Sequence, residues 1–139
     1  MLGSCLLKHW ASTQKAITLS SGEAELGGVV RGTCEGLGLV SLAKDLGVAL
    51  QLEVYTDSSA AVGICRRSGL GKVRHLAVGQ LWTQERLRQG DFKLFKVPGS
   101  WNPADLMTKP MARHEIDRHL ETMCLARSDG RAALAPELP

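Results

Sequence analysis

The stretch from Ser21 to Leu46 limits the fold of this chain more than any other. Leu26, Val29, Val30, Thr33, Leu37, Val40 and Leu42 recur at spacings of three and four, one stripe of a helix. The same stretch carries Gly27, Gly28, Gly32, Gly36 and Gly38, and a glycine in a helix interior costs roughly 0.8–1 kcal/mol relative to alanine. Such a helix forms only against a close neighbour, and the missing side chains are what permit the approach. Ser20 and Glu23 stand as S-x-x-E at its start, a capping box. Gly47 is a stop just past its end.

The neighbours are strands. Leu50 to Thr56 alternates, with Leu52, Val54 and Thr56 against Glu53 and Tyr55. Asp91 to Val97 alternates likewise and ends at Pro98-Gly99. Residues 3 to 12 read as a strand without clean alternation, and residues 15 to 20 as an extended lead into the glycine-rich helix. Further helices are expected at Asp57-Ser58-Ser59 onward, from Leu76 to Gln89 with a stop at Gly90, and from SWNPAD onward. The order β-β-α-β-α-α-β-α is that of a mixed α/β sheet flanked by helices.

With 139 residues the chain makes one domain or part of one. Aromatic residues are only 4%, so the core falls to Leu, Val, Ala and Gly, and Trp10, Trp82 and Trp101 are expected in core or edge packing. Cys5, Cys34, Cys65 and Cys124 form no CxxC pair and read as free thiols of a reducing compartment. No run of 18 apolar residues and no leader is present, so the expectation is a soluble intracellular protein of cytoplasm or nucleus, with no membrane partner. A net charge of +3 is compatible with a polyanionic partner.

Three acids sit where an extended segment meets a helix: Glu25 after ITLSSGEA, Asp57 after LEVYT, and Asp105 after VPGSWNPA. In α/β sheets such junctions converge on one edge, where ligands bind. Gathered carboxylates repel unless a cation lies between them, and hard oxygen donors suit Mg²⁺ or Mn²⁺ rather than zinc. Each acid also has a plainer reading. Asp57 is a common N-cap residue, and Asp105 is a first-turn acid of the kind a helix dipole favours. Glu23 and Glu25 fall on opposite flanks of the apolar stripe, so the helical wheel does not choose between them. Capping does, since it occupies Glu23 and leaves Glu25 without a local job.

The segments WASTQKAITLSSGEAEL, VYTDSSAAVGI, RHLAVGQLWTQERL and VPGSWNPADLMTKPM together resemble the ribonuclease H region that closes the polyprotein of copia-type LTR retrotransposons. The resemblance covers residues 3 to 111 and implies a ribonuclease-H-like fold, here lacking its first two strands. It further implies hydrolysis of RNA in RNA–DNA hybrids with four carboxylates and two Mg²⁺ ions, and an upstream reverse transcriptase portion as neighbour. Glu25, Asp57 and Asp105 match three of the four carboxylates, as catalytic and metal-holding residues. The fourth, an aspartate ahead of the tryptophan segment, has no counterpart, because residues 1 to 22 contain no Asp or Glu. The family's K-H-I-D-x-x-Y-H becomes Arg74, His75, Leu76, Ala77, with Leu81 at the last position.

The chain alone is therefore expected to be inactive or weak, with a non-catalytic nucleic-acid-binding remnant as the alternative. Arg66, Arg67, Lys72, Arg74 and His75 form a basic loop suited to phosphate contact, against the plainer reading of a solvated loop. Lys109 is a further candidate for the same groove. Ser58 either caps its helix or touches sugar hydroxyls. His114 and His119 stand five apart, on different helix faces, which excludes a zinc pair. Residues 1–111 are expected to form the partial domain, 112–127 a C-terminal helix with Ile116, Leu120 and Met123 in one stripe, and 128–139 a loose tail.

Overall fold

A computed structural model describes residues 1–12, 18, 20–69, 71, 78–106 and 108–127. The chain divides into two compact units, Thr13–Asn102 and Met1–Ser12 with Pro103–Pro139. It is a mixed α/β protein.

The first unit holds α1 (Ser21–Asp45), β1 (Leu52–Thr56), α2 (Ser59–Arg66), α3 (Val78–Gln89) and β2 (Phe92–Lys96). The strands β1 and β2 pair in parallel, Leu52 opposite Phe92 and Thr56 opposite Lys96. Parallel neighbours need a long crossover, which α2 and α3 supply. Alternation sorts the faces as the sequence reads. Phe92 and Leu94 are buried with half-buried Leu52 and Val54 packed beside them, while Glu53, Tyr55, Lys93 and Phe95 are exposed. The core adds Leu26, Val29, Ala61, Val62, Ile64 and Cys65 from α1 and α2. Phe92, 1% exposed, sits at its centre, so one of the few aromatics joins the aliphatic set.

The long helix forms because its first two-thirds are covered. Leu26, Val29 and Thr33 are buried, and Thr33 returns its hydroxyl to the Val29 carbonyl at 2.8 Å. Two glycines make the close approach. A Cβ on Gly22 would lie 2.8 Å from the Ala60 Cβ, and one on Gly36 would lie 2.5 Å from a Leu52 methyl. Gly28, Gly32 and Gly38 face open space. Of the later stripe residues Leu37 and Val40 stay half-buried, while Leu42 is exposed with Leu39 and Leu46 on the other side of the helix. Gly47, at φ +78°, ends the helix, with the Val48 N–H donating to the Ala43 carbonyl at 2.8 Å. Gly90, at φ +81°, does the same for α3.

In the second unit the expected strand over residues 3 to 12 does not form. Leu2 and Cys5 exchange backbone hydrogen bonds across a turn at Gly3, and residues 6–12 carry no regular structure. A strand needs a partner ladder, and among the described residues the single Leu2–Cys5 bridge is all the pairing found there. The last helix also starts later than SWNPAD. Pro103 holds Asn102 extended (φ −85°, ψ 105°), so two single 3₁₀ turns, Gly99–Trp101 and Pro103–Asp105, stand where a helix was expected. The helix α4 runs over Arg113–Thr122, with the Glu115 carboxylate accepting from the Ala112 N–H at 3.0 Å. His119, rather than Ile116 or Leu120, is its most buried residue.

Of the core or edge packing expected for the tryptophans, the core is excluded. Trp10 and Trp101 are 40% and 59% exposed, and Trp82 is half-buried with the Arg86 guanidinium 5.4 Å above its ring. Among the described residues no helix is long and apolar enough to cross a membrane.

Candidate functional site

The first turns of α1 and α2 lie side by side because Gly22 and Ala60 touch. Both turns are capped by serine. The Ser20 hydroxyl accepts from the Glu23 N–H at 3.3 Å and donates to the Glu23 carboxylate at 3.2 Å. Glu23 is 5% exposed, held in the α1 start that it helps to cap. Glu25, two residues on, is exposed and has no hydrogen-bond or ion-pair partner among the described residues.

At α2 the cap is Ser58, whose Oγ accepts from the Ala61 N–H at 3.1 Å. The capping reading of Ser58 is therefore the one observed. Asp57 is left outside the helix, between β1 and its cap, so the N-cap reading of Asp57 fails: a neighbour already does that work. Asp57 is half-buried, and its carboxylate too has no partner among the described residues. The turn after β2 borders it, since a Cβ on Gly99 would lie 3.3 Å from Asp57 Oδ2. A bond from the Val97 N–H to the Thr56 carbonyl, 3.0 Å, holds that turn beside the end of β1.

These two acids stand apart from most of their kind. In the same unit Glu53 accepts from the Tyr55 hydroxyl at 2.7 Å and pushes its pKa up, Glu85 pairs with Arg88, and Asp91 pairs with Arg86 at 3.0 Å. Asp105, in the other unit, ends a 3₁₀ turn rather than opening a helix. Its carboxylate pairs with Lys109 Nζ at 2.9 Å, and its carbonyl accepts from the Thr108 hydroxyl at 2.9 Å. Lys109 is thus engaged with a candidate site acid.

Among the described residues no three or more His, Cys, Asp or Glu side chains stand close enough to hold a metal ion. Glu25 and Asp57 are donors of the right hardness, but the described residues of this chain do not complete a metal site. His114 is exposed and His119 buried.

Of the basic loop, Arg66 and Arg67 are described, and Lys72, Arg74 and His75 lie outside the described residues. Arg66 donates to the Leu94 carbonyl at 3.1 Å. With Arg67 it lines a cleft of about 560 Å³ that also takes in Arg88 and Lys93. Sequence reading missed the last two. Arg88 reads as a last-turn cation of α3 and Lys93 as an outward strand residue, and only the crossing of α2, α3 and β2 brings them to the Arg pair.

This chain is similar to retrotransposon polyproteins of plants. It is 29% identical over 111 residues to the retrovirus-related Pol polyprotein from transposon TNT 1-94 of Nicotiana tabacum, a match covering 78% of this chain and 8% of that protein. It is 28% identical over 108 residues to the Pol polyprotein from transposon RE1 of Arabidopsis thaliana, covering 75% of this chain and 7% of that one, and likewise to that from transposon RE2. The chain spans less than a tenth of the length of these relatives. No protein-family profile and no solved structure matches it. The chain is thus related to retrotransposon Pol polyproteins.

Proposed function

We propose that this chain is the ribonuclease-H-like part of a retrotransposon Pol polyprotein, acting on the RNA strand of RNA–DNA hybrids. The observation that carries the reading is Asp57. It is a half-buried carboxylate at the end of β1, without a partner among the described residues, relieved of capping by Ser58 and bordered by Gly99. A half-buried carboxylate left without a protein partner at a strand end is placed to meet a cation or to take part in proton transfer. Glu25, exposed and equally unengaged, stands on the helix whose first turn touches α2. Asp105, in the other unit, is the third acid that the motifs assign.

Mg²⁺ or Mn²⁺, once bound in the complete assembly, would activate water and stabilise the leaving oxygen of a phosphodiester. The chain's own part is to orient. Glu25 and Asp57 accept hydrogen bonds from water or from a sugar hydroxyl, and Lys109 releases Asp105 or keeps it neutralised. Three carboxylates are present and the motifs call for four, so the isolated chain is expected to be weak or inactive until the fourth is supplied.

A second reading, nucleic-acid binding without hydrolysis, is favoured by the incomplete metal site and by the Lys109–Asp105 pair. One experiment separates the two. The chain is incubated with a labelled RNA–DNA hybrid and Mg²⁺ or Mn²⁺, alone and joined to the upstream polyprotein segment, with Asp57→Asn as control. Cleavage by the joined protein, lost in Asp57→Asn and Glu25→Gln but kept in Glu23→Gln, is the expected result. Hybrid binding with no cleavage in either form selects the second reading.

A further inference from the structure

The cleft beside β2 is separate from the Asp57 turn and shares no residue with it. The exit of α2 gives Arg66 and Arg67, the last turn of α3 gives Arg88, and β2 gives Lys93 and Phe95. Its floor is apolar, formed by Cys65, Leu87, Phe92 and Leu94 among others. We propose that it binds one strand of nucleic acid, with phosphates on the four cations and a base against the exposed ring of Phe95.

Three observations carry this. First, the rim is fixed in place. The Gln84 amide, 4% exposed, donates to the carbonyls of Ile64 at 2.8 Å and Gly69 at 3.1 Å, while its oxygen accepts from the Gly69 N–H at 3.0 Å. The chain leaving α2 is thereby tied to α3. Second, the charge is one-sided. Arg66 spends one nitrogen on the Leu94 carbonyl and has other donors to give. Neither Arg66 nor Lys93 pairs with a carboxylate among the described residues, and Arg88 pairs with Glu85. Third, the aromatic surface is open. Phe95 is 37% exposed and stacks on Tyr55 with ring centroids 5.2 Å apart, while the Tyr55 hydroxyl is anchored on Glu53. Cations along a groove beside an accessible ring are what a single strand needs, since phosphates supply salt-dependent affinity and a base supplies a stacking face. A cleft for a free phosphate would have no use for the ring.

The inference rests on the nucleic-acid part of the functional reading, whose Arg66 and Arg67 it takes up, and it is tested without hydrolysis. Binding of a fluorescein-labelled 12-nucleotide RNA is followed by anisotropy in EDTA across a salt series. Arg88→Gln, Lys93→Gln and Phe95→Leu are compared with Lys44→Gln, which removes one charge from the last turn of α1, outside the cleft. Urea unfolding checks that each variant folds. Each cleft charge variant should bind about tenfold more weakly, with the slope of log affinity against log salt lowered by about 0.7. Phe95→Leu should weaken binding about fivefold or more with the slope unchanged. Lys44→Gln should change neither.

Equal losses in all three charge variants would mean net charge alone and would overturn the site. An unchanged affinity in Phe95→Leu, or displacement of the RNA by equimolar tripolyphosphate, would overturn the strand in favour of free phosphate. Absence of RNA binding by the folded wild-type chain would overturn it outright. Asp57→Asn, expected to end cleavage, should leave this binding intact, so failure of one reading does not entail failure of the other.

Discussion

Gly22→Ala tests the contact on which the candidate site is built. The added methyl would lie 2.8 Å from the Ala60 Cβ, whereas carbon atoms rest about 3.5–4.0 Å apart. Neither group can rotate away, because both are fixed to helical backbone. The first turns of α1 and α2 must therefore separate by about 0.7–1.2 Å, opening the layer over Leu26 and Ala61, both fully buried. Overpacking of this kind costs about 1–3 kcal/mol. The gain in helix propensity offsets less than about 1 kcal/mol of that, since Gly22 lies in the first turn. A net loss of about 1–2 kcal/mol should lower the urea midpoint by about 0.5–1 M.

Gly32→Ala is the matched comparison. Its methyl meets nothing within 4 Å, so the propensity gain of up to about 1 kcal/mol stands alone and the midpoint should rise. If Gly22→Ala raises the midpoint as Gly32→Ala does, the close approach of α1 to α2 is wrong. The placing of Glu25 and Asp57 on adjoining turns would fall with it.

Two further outcomes follow from buried polar groups. Thr83 is fully buried and its hydroxyl has no hydrogen-bond partner among the described residues, so Thr83→Val, of the same shape, should stabilise by about 1 kcal/mol in urea or thermal unfolding. Burial pushes the Cys65 thiol up from 9.0 to about 11. It is essentially neutral in both folded and unfolded chains below about pH 8. From pH 9 to 11 the unfolded chain ionises first, so stability should fall by on the order of 1 kcal/mol over that window. Cys65→Ala should lose this slope, and at pH 8 a thiol reagent should label the exposed Cys5, Cys34 and Cys124 while Cys65 reacts only on unfolding.

The same glycines show what was legible in advance. Their number in one helix demanded a close neighbour, and of those named Gly36 has one, as does Gly22, which was not among them. Which of them were needed was not legible, because a glycine facing Ala60 and one facing open space read alike along a chain. The two glutamates behaved similarly. The S-x-x-E spacing singled out Glu23 for capping, since capping is local and completes within four residues. That Ser58 rather than Asp57 caps α2 was left open, because both are good N-cap residues and the choice rests on where β1 ends.

Local periodicity alone placed α1, β1, α3 and β2 to within about two residues at most ends, together with their glycine stops. These depend on neighbours three or four positions away, which the sequence carries explicitly. It overreached at residues 3 to 12 and at SWNPAD. A strand exists only with a partner ladder, and Pro103 outweighed a helical-looking composition. Tertiary structure decided the rest. The parallel register of β1 on β2, the half-burial of Asp57 beside Gly99, and the meeting of Arg66, Arg67, Arg88 and Lys93 in one cleft all join residues up to some 40 positions apart. Such contacts follow from how helices cross a sheet, and pattern along the chain does not encode a crossing.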